Sequence, residues 1–328
     1  MQNTQPVVSI LVPIYGVEKY IARCVESLFG QTYDNIDYVF VDDCTPDNSI
    51  TVLKNVLSNY PNRKDSVRII RHKKNQGLAV ARNTAVAVAK GEFLMHVDSD
   101  DWIELNTVEL CVKKMIETNS DIVYFDGVLH KPNLTLPIRH NHFTTKIKDE
   151  TCRILARKES VSIWGALIRT ALYINNKIVL KEGLNNGEDY DITPKLCYNA
   201  SSITYLQNPL YHYNFLNEDS YSHVFSQKKW EQTWKVIEDL HDYFSDKGQG
   251  YLNALTTGVG GVLSRILIDI GKYNGGKEYF NVIRQRVKRQ DMRYVDNPIL
   301  YRLVLYIPNY RLLQVYCKLS SFLKKKMQ

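Results

Sequence analysis

Three carboxylates stand together in Asp98-Ser99-Asp100-Asp101, directly after the apolar run 93–97. Carboxylates this close raise one another's pKa, and a hard divalent cation relieves the repulsion. Mg²⁺ typically takes one or two carboxylates and fills its other positions with water and phosphate oxygens. The competing interpretation is a turn whose aspartates cap the next helix, which we expect to begin near Trp102. For an isolated acidic cluster, this second interpretation is the commoner one.

Two further sites could bind a ligand, but each also has a purely structural interpretation. Asp42-Asp43 follows the apolar run 38–41; a carboxylate there can accept from a base N–H or a ribose hydroxyl, or can serve as a turn residue. Arg82 interrupts the apolar stretch 78–90. It either contacts a phosphate or carboxylate, or covers the helix surface with its stem.

Alternating strands and helices position these groups. Short apolar runs predict strands at 7–12, 38–41, 67–70 and 93–97, and helical spacing predicts helices at 21–29, 50–57 and 78–90. We expect Asn48 or Ser49 to cap the second helix. This order predicts an α/β fold with a doubly wound, mostly parallel sheet. Ligands bind outside the carboxyl ends of such strands, so we expect residues 13–15, 42–43 and 98–101 to meet in one crevice.

Composition narrows the class of protein. The chain has 328 residues, 44% of them apolar, 23% charged, and a net charge of +7, which fits one large or two medium globular domains. No uninterrupted apolar run reaches 18 residues and no signal-peptide pattern opens the chain, so we expect no membrane-spanning helix. Six scattered cysteines without a CxxC predict reduced thiols in a cytoplasmic protein.

Several segments, taken in order, resemble the family 2 glycosyltransferases, which have the GT-A fold. They are VSILVPIY at 8–15, SLFGQTY at 27–33, VDDCTPDNS at 41–49, NQGLAVARN at 75–83, GEF at 91–93 and VDSDD at 97–101. Each segment is weakly specific, but their order and spacing over about a hundred residues are strongly so. Two departures are mild: Gly16 stands where the family usually has Asn, and Cys44-Thr45-Pro46 replaces the commoner Gly-Ser-Thr.

The resemblance implies a nucleotide-sugar donor, usually a UDP-sugar. Pro13 and Tyr15 would border the base, and Asp43, beside Asp42, would read the uracil. Asp98 would lie near ribose or sugar hydroxyls, and Asp100 would hold Mn²⁺ or Mg²⁺ at the diphosphate, with Asp101 sharing that role. The donor-binding set is therefore Pro13, Tyr15, Asp42, Asp43, Arg82, Asp98, Ser99 and Asp100.

A catalytic base is predicted in the second half. Glu188-Asp189 opens a helix over 190–198 after a Gly/Asn-rich loop, which the helix dipole alone would favour. The family places a Glu-Asp pair here with the Asp as base, so we assign Asp189 that role, with Glu188 beside it and Asp191 as the second candidate. A base here would activate an acceptor hydroxyl for a single inverting displacement.

Aromatic and histidine residues could form the acceptor side. Trp164 and Tyr211, with Tyr213, either stack on sugar rings or pack in the core. His212 either contacts the pyrophosphate or lies at a strand edge. The family often carries Lys where Ala166 stands, so that contact is absent here.

The C-terminal region differs in charge. We divide the chain into a transferase domain, 1–224 (donor half 1–115, acceptor half 116–224), and a helical basic region, 225–328. Residues 272–328 contain 13 Lys and Arg against 3 Asp and Glu, whereas the preceding residues are slightly acidic. The apolar, basic stretch 299–323, broken at Pro308, either lies on an anionic membrane or packs as a cap.

Together these features predict an inverting, metal-dependent glycosyltransferase of cell-surface polysaccharide synthesis, cytoplasmic and peripheral to the membrane. The acceptor would be a saccharide or lipid-linked saccharide. The alternative is a catalytically silent nucleotide-sugar binder, which should lack one of the acids. No nucleic-acid motif is present in the sequence, and the acidic cluster follows the fourth strand, unlike that of haloacid-dehalogenase-like phosphatases.

Overall fold

A computed structural model describes residues 5–217, 227–272, 277–287, 310–315 and 317. Its first half is the predicted alternation of strand and helix. The elements are β1 (Val8–Ile14), α1 (Ile21–Phe29), β2 (Ile36–Asp42), α2 (Ser49–Leu57), β3 (Val67–Arg71), α3 (Leu78–Val88) and β4 (Phe93–His96). These strands are parallel in the order β3-β2-β1-β4. Because helices cover both faces, β1, β2 and β4 are buried along their whole length.

The second half extends this sheet with mixed strand directions. Its elements are β5 (Trp102–Ile103), α4 (Thr107–Thr118), β6 (Ile122–Lys131), β7 (Leu134–Ile138), α5 (Ile147–Leu155), β8 (Ala166–Arg169), α6 (Thr170–Asn175), α7 (Glu188–Asn199) and β9 (Ile203–Asn214). The order continues β4-β8-β6-β9-β5, with β8 antiparallel to β4 and β7 added to β6. The parallel strands of the first half thus continue directly into a mixed sheet in the second half.

The expected helix start near Trp102 is wrong. Trp102 and Ile103 form β5, antiparallel to His212 and Tyr211 of β9, and the next helix begins at Thr107. The reason is that Asp101 accepts the backbone N–H of Asn214, which ties the chain after the acidic cluster to β9. The cluster therefore ends in a strand.

The cap of α2 also differs from expectation. Asn48 occupies the N-cap position, but its side chain makes no capping hydrogen bond. Asp47 Oδ1 instead accepts from the backbone N–H and the hydroxyl of Ser49. These bonds lower the pKa of Asp47 even though its partial burial opposes them.

The described residues fall into two compact units, Met1–Thr151 with Glu159–Val224, and Cys152–Lys158 with Phe225–Gln328. The second unit contains α8 (Gln227–Phe244), α9 (Gln249–Lys272) and α10 (Lys277–Val287). Most of the predicted basic pair, 299–323, lies outside the described residues, so its membrane role stays a prediction.

Among the described residues, one helix has the length and composition of a membrane span, α9 over Gln249–Ile268, and the expectation of no membrane-spanning helix stays a prediction. However, 56% of that stretch is buried inside the protein, and core helices share these properties, so this is weak evidence for a span. The six cysteines, all of them among the described residues, form no disulfide bond with one another.

Candidate active site

The centre of the site is Arg82, a side chain on α3 that is only 1% exposed. Its Nη1 donates to Glu188 Oε1 at 2.9 Å and to Asp189 Oδ1 at 2.5 Å. Its Nη2 donates to Asp98 Oδ1 at 2.8 Å. One guanidinium therefore joins the acid at the end of β4 to the two acids that open α7, across 106 residues of sequence between Arg82 and Glu188.

The protonation of this cluster follows from burial and charge. Burial would lower the pKa of Arg82, but the charges of Asp189, Asp98 and Glu188 together raise it well above its ordinary value. Burial, then the neighbouring Asp189, raises the pKa of Glu188 to about 7 against the opposing effect of Arg82. Burial also raises the pKa of Asp189, while Arg82 and the backbone N–H of Ile163 hold it down.

Glu188→Gln is expected to stabilise the protein at alkaline pH. The folded state binds the Glu188 proton up to about pH 7, whereas the unfolded chain releases it near 4.5, so this group's contribution to stability is lost as pH rises through that window. Glutamine cannot ionise, so the gain in free energy of unfolding should grow by roughly 1–3 kcal/mol from pH 5 to 8. Urea unfolding at each pH measures it.

The matched control for this prediction is Glu182→Gln, because Glu182 is exposed in the loop just before α7. Its stability difference from wild type should not vary over the same pH range. A Glu188→Gln curve parallel to that of wild type would show that Glu188 does not change protonation between pH 5 and 8.

The acids after β4 have distinct environments. The Asp98 side chain is 25% exposed, and Asp100 is half-buried and accepts from Asn217 Nδ2 at 2.8 Å. Asp101 is 1% exposed, and its two oxygens accept from the Tyr211 hydroxyl and the Asn214 backbone N–H. This environment disfavours Asp101 as a metal ligand, because the carboxyl is buried and both of its oxygens accept hydrogen bonds from β9.

The remaining acids fit a hard divalent cation. Burial and the charges of Asp100 and Asp98 raise the pKa of Asp101 well above its usual range. Burial and the same three acids raise the pKa of the Cys24 thiol. This negative potential surrounds two partly exposed carboxylates, Asp98 and Asp100, which are the oxygen ligands that Mg²⁺ and Mn²⁺ prefer.

The acidic pair at the end of β2 is buried, and both carboxylates accept hydrogen bonds. Asp43 Oδ1 is hydrogen-bonded to His72 Nδ1 and to the backbone N–H of Gln76, and Oδ2 accepts from that of Gly77. Asp42 Oδ1 accepts from the Thr45 N–H. Asp43 thus fixes the loop before α3, and its uracil-reading role stays a prediction.

The other predicted donor residues lie at the same strand ends. Tyr15, just after β1, is 51% exposed, whereas Pro13 and Ser99 are buried. Cys44 has a φ of 59°, a left-handed conformation that favours the glycine common in the family at this point. A cysteine is restricted in this conformation, whereas a glycine is free.

The aromatic residues predicted on the acceptor side pack against one another. Trp164 stacks on Tyr211 and Tyr213 with centroids 4.5 and 5.8 Å away. Tyr211 is fully buried and donates to Asp101, which favours the packing role over sugar stacking. His212 stacks on Trp102 at 5.0 Å, and its Nε2 lies 2.7 Å from Glu104 Oε1. It lies on β9 between β6 and β5, which is not an edge of the sheet, and its contact with the pyrophosphate stays a prediction.

The structure disfavours Asp191, the second candidate for the catalytic base. It is 1% exposed, and its Oδ1 lies 2.6 Å from Lys195 Nζ one turn along α7. A base must reach the substrate's proton, and this carboxylate is buried in an ion pair.

Three residues with structural roles at the site were not singled out from the sequence. His72 holds Asp43, and Asn83 and Asn185 join α3 to the segment before α7. Asn83 lies within the motif 75–83, and this motif could have identified it as a residue of the site. The other two contacts join residues distant in sequence, and no local pattern marks them.

Comparisons with known proteins agree with this geometry. The model of the family described as "Glycosyl transferase family 2" matches residues 9–172. EpsH of Bacillus subtilis strain 168, which is named as a glycosyltransferase, is 27% identical over 286 residues, 85% of this chain and 81% of EpsH. The hyaluronan synthase of Pasteurella multocida is 39% identical over 115 residues, 35% of this chain and 11% of the synthase.

A solved structure extends the likeness to the whole chain. The crystal structure of S. aureus TarS 1–349 in complex with UDP-GlcNAc superimposes with a TM-score of 0.73 at 21% identity, covering 95% of this chain and 92% of that one. The match confirms the predicted GT-A fold.

Proposed function

This chain belongs to glycosyl transferase family 2 and is a glycosyltransferase, and we propose that it moves a sugar from a UDP-sugar to a saccharide hydroxyl with inversion. The free or lipid-linked saccharide acceptor would belong to polysaccharide synthesis. The UDP-GlcNAc complex of TarS and the named hyaluronan synthase support this donor and acceptor class.

The observation that carries the proposal is the buried bridge from Asp98 through Arg82 to Asp189. Asp98 lies just after the carboxyl end of β4, at the edge of the sheet where α/β proteins bind ligands. Asp189 opens a helix of the acceptor half. A single side chain separates the donor-side acid from the candidate base, which is the proximity a direct displacement needs.

Asp189 is the group that would accept the acceptor's proton. Its side chain is 22% exposed, whereas Glu188 is almost covered. Because burial and Asp189 raise the Glu188 pKa to about 7, Glu188 would be protonated in about half of the molecules near pH 7, and in these molecules Asp189 would be the ionised partner of Arg82. The ionised Asp189 would draw the hydroxyl proton as the hydroxyl attacks the anomeric carbon.

Asp98 and Asp100 would hold Mg²⁺ or Mn²⁺. Such an ion, when bound, neutralises charge that develops on the departing diphosphate. Asn217 donates to Asp100 Oδ2 and so orients this carboxylate. Residues around a metal site typically orient its ligands in this way before the ion binds.

A transfer assay over a panel of nucleotide-sugars, with Mg²⁺ or Mn²⁺ and with EDTA, tests the proposal. Asp100→Asn is expected to lower kcat/KM by at least about 10²-fold at fixed metal concentration, since it removes a charged ligand. Asp149→Asn, at an exposed acid on α5, is the control and should match wild type. Full Asp100→Asn activity, EDTA resistance, or a product with retained anomeric configuration would each contradict part of the mechanism.

A further inference from the structure

We propose that Asn83 and Asn185 are positioning residues that clamp the segment 180–189 onto α3 and so hold Asp189 at the acceptor. The inference rests on the proposed function, in which Asp189 is the base. The clamp itself is defined by hydrogen bonds between two parts of one compact unit that are distant in sequence.

Asn83 forms the first half of the clamp. Its Nδ2 donates to Leu180 O at 2.7 Å, and its Oδ1 accepts from Leu180 N at 2.9 Å. The oxygen and the nitrogen of the Asn83 amide therefore both bond to Leu180, which lies in the segment 180–189 and is 97 positions away. Leu180 is itself buried, so this contact is shielded from water and anchors the start of the segment.

Asn185 forms the second half. Its Oδ1 accepts from the backbone N–H of Ala79 in the first turn of α3, at 3.2 Å. The side chain lies over Gly77, where a Cβ would come within 2.3–2.7 Å of its amide atoms. Gly77 also has a φ of 90° and donates its N–H to Asp43, so a side chain there would disturb both contacts.

Two glycines in the segment 180–189 have positive φ values. Gly183 and Gly187 adopt φ values of 78° and 84°, conformations in which glycine is free and other residues are restricted. Ala79, Arg82 and Asn83 are spaced i, i+3, i+4 and so lie along one face of α3. That face therefore holds the segment at three points and fixes the direction of the Asp189 carboxylate.

The clamp predicts opposite effects for the same Asn→Asp change at the two positions. Asn185→Asp keeps the oxygen that accepts from Ala79 and should retain kcat within about threefold, whereas Asn185→Ala should lower kcat about 10- to 100-fold, the scale of a small misplacement of a catalytic group. Asn83→Asp loses the donor to Leu180 O and should be as impaired as Asn83→Ala. The KM for the donor sugar should stay within about threefold in all four variants, and Asn175→Ala, an exposed asparagine on α6, is the control.

Amide hydrogen exchange separates this proposal from the proposed function. Exchange in 180–189 should quicken in Asn83→Ala, Asn83→Asp and Asn185→Ala and stay near wild type in Asn185→Asp, whether or not a sugar substrate is found. Wild-type exchange in the two alanine variants, or a loss confined to the donor KM, would overturn the clamp. A wild-type protein that transfers no sugar, with exchange changed as expected, would overturn the proposed function alone.

Discussion

Asp189→Asn is expected to lower kcat by about 10²–10⁴-fold, the usual contribution of a positioned general base. Asparagine keeps the shape of the side chain and one oxygen that can accept from Arg82, but it cannot take the acceptor's proton. The KM for the donor should change by less than about threefold, because the donor-side acids remain in place. Steady-state kinetics with the best donor from the panel measures both values.

The pH dependence of the same variant gives a second, independent outcome. Burial raises the pKa of Asp189 above its ordinary 3.8, so wild-type kcat should rise with pH as this carboxylate ionises. Asp189→Asn should lose that rise. Wild-type kcat in this variant, or an unchanged acidic limb, would show that Asp189 is not the base, and calorimetric titration with UDP would confirm that the donor site had survived.

The first half of the fold was predictable because its strands and helices are marked by short, local patterns of apolar residues. The apolar run 7–12 corresponds to β1, Val8–Ile14, which is fully buried, and the apolar spacing in 21–29 marks the buried face of α1. The parallel order then brings the strand ends together without any knowledge of tertiary contacts. This is why the placement of residues 13–15, 42–43 and 98–101 at the carboxyl ends of β1, β2 and β4 followed from the sequence.

The partners of each acid could not be predicted, because they depend on contacts distant in sequence. Asp98 and Asp101 are three residues apart, yet one binds Arg82 at the crevice and the other binds Tyr211 and Asn214 of β9. Only the pairing of β5 with β9 separates their roles, and β5 is two residues long. A strand that short has no periodicity to detect.

The environment of Arg82 likewise arises only in the folded chain. The sequence left a surface role and an anion-binding role open for this residue. The structure has it bound to three carboxylates of its own chain, which assigns it first to organising the site. Any contact it makes with a nucleotide-sugar would add to that role.

Arg82→Met is expected to have the largest effect on stability. It leaves Asp98, Glu188 and Asp189 without the cation they share, and removing one partner of a buried ion pair typically costs about 3–5 kcal/mol. Arg82 also lowers the pKa of Glu188 and Asp189, so its loss should move the acidic limb of kcat to higher pH. Arg82→Lys should recover only part of both properties, because a lysine cannot reproduce the guanidinium fork.

Arg68→Met is the control that separates stability from activity. Arg68 is also partly buried and donates to both oxygens of Asp37, but this pair lies near the amino ends of β2 and β3, away from the crevice. Its loss should lower the free energy of unfolding while leaving kcat and its pH profile at wild-type values below the unfolding temperature. If Arg82→Met behaved like Arg68→Met, with reduced stability and unchanged kcat, the buried bridge would be structural and the joining of Asp98 to Asp189 would have no part in the reaction.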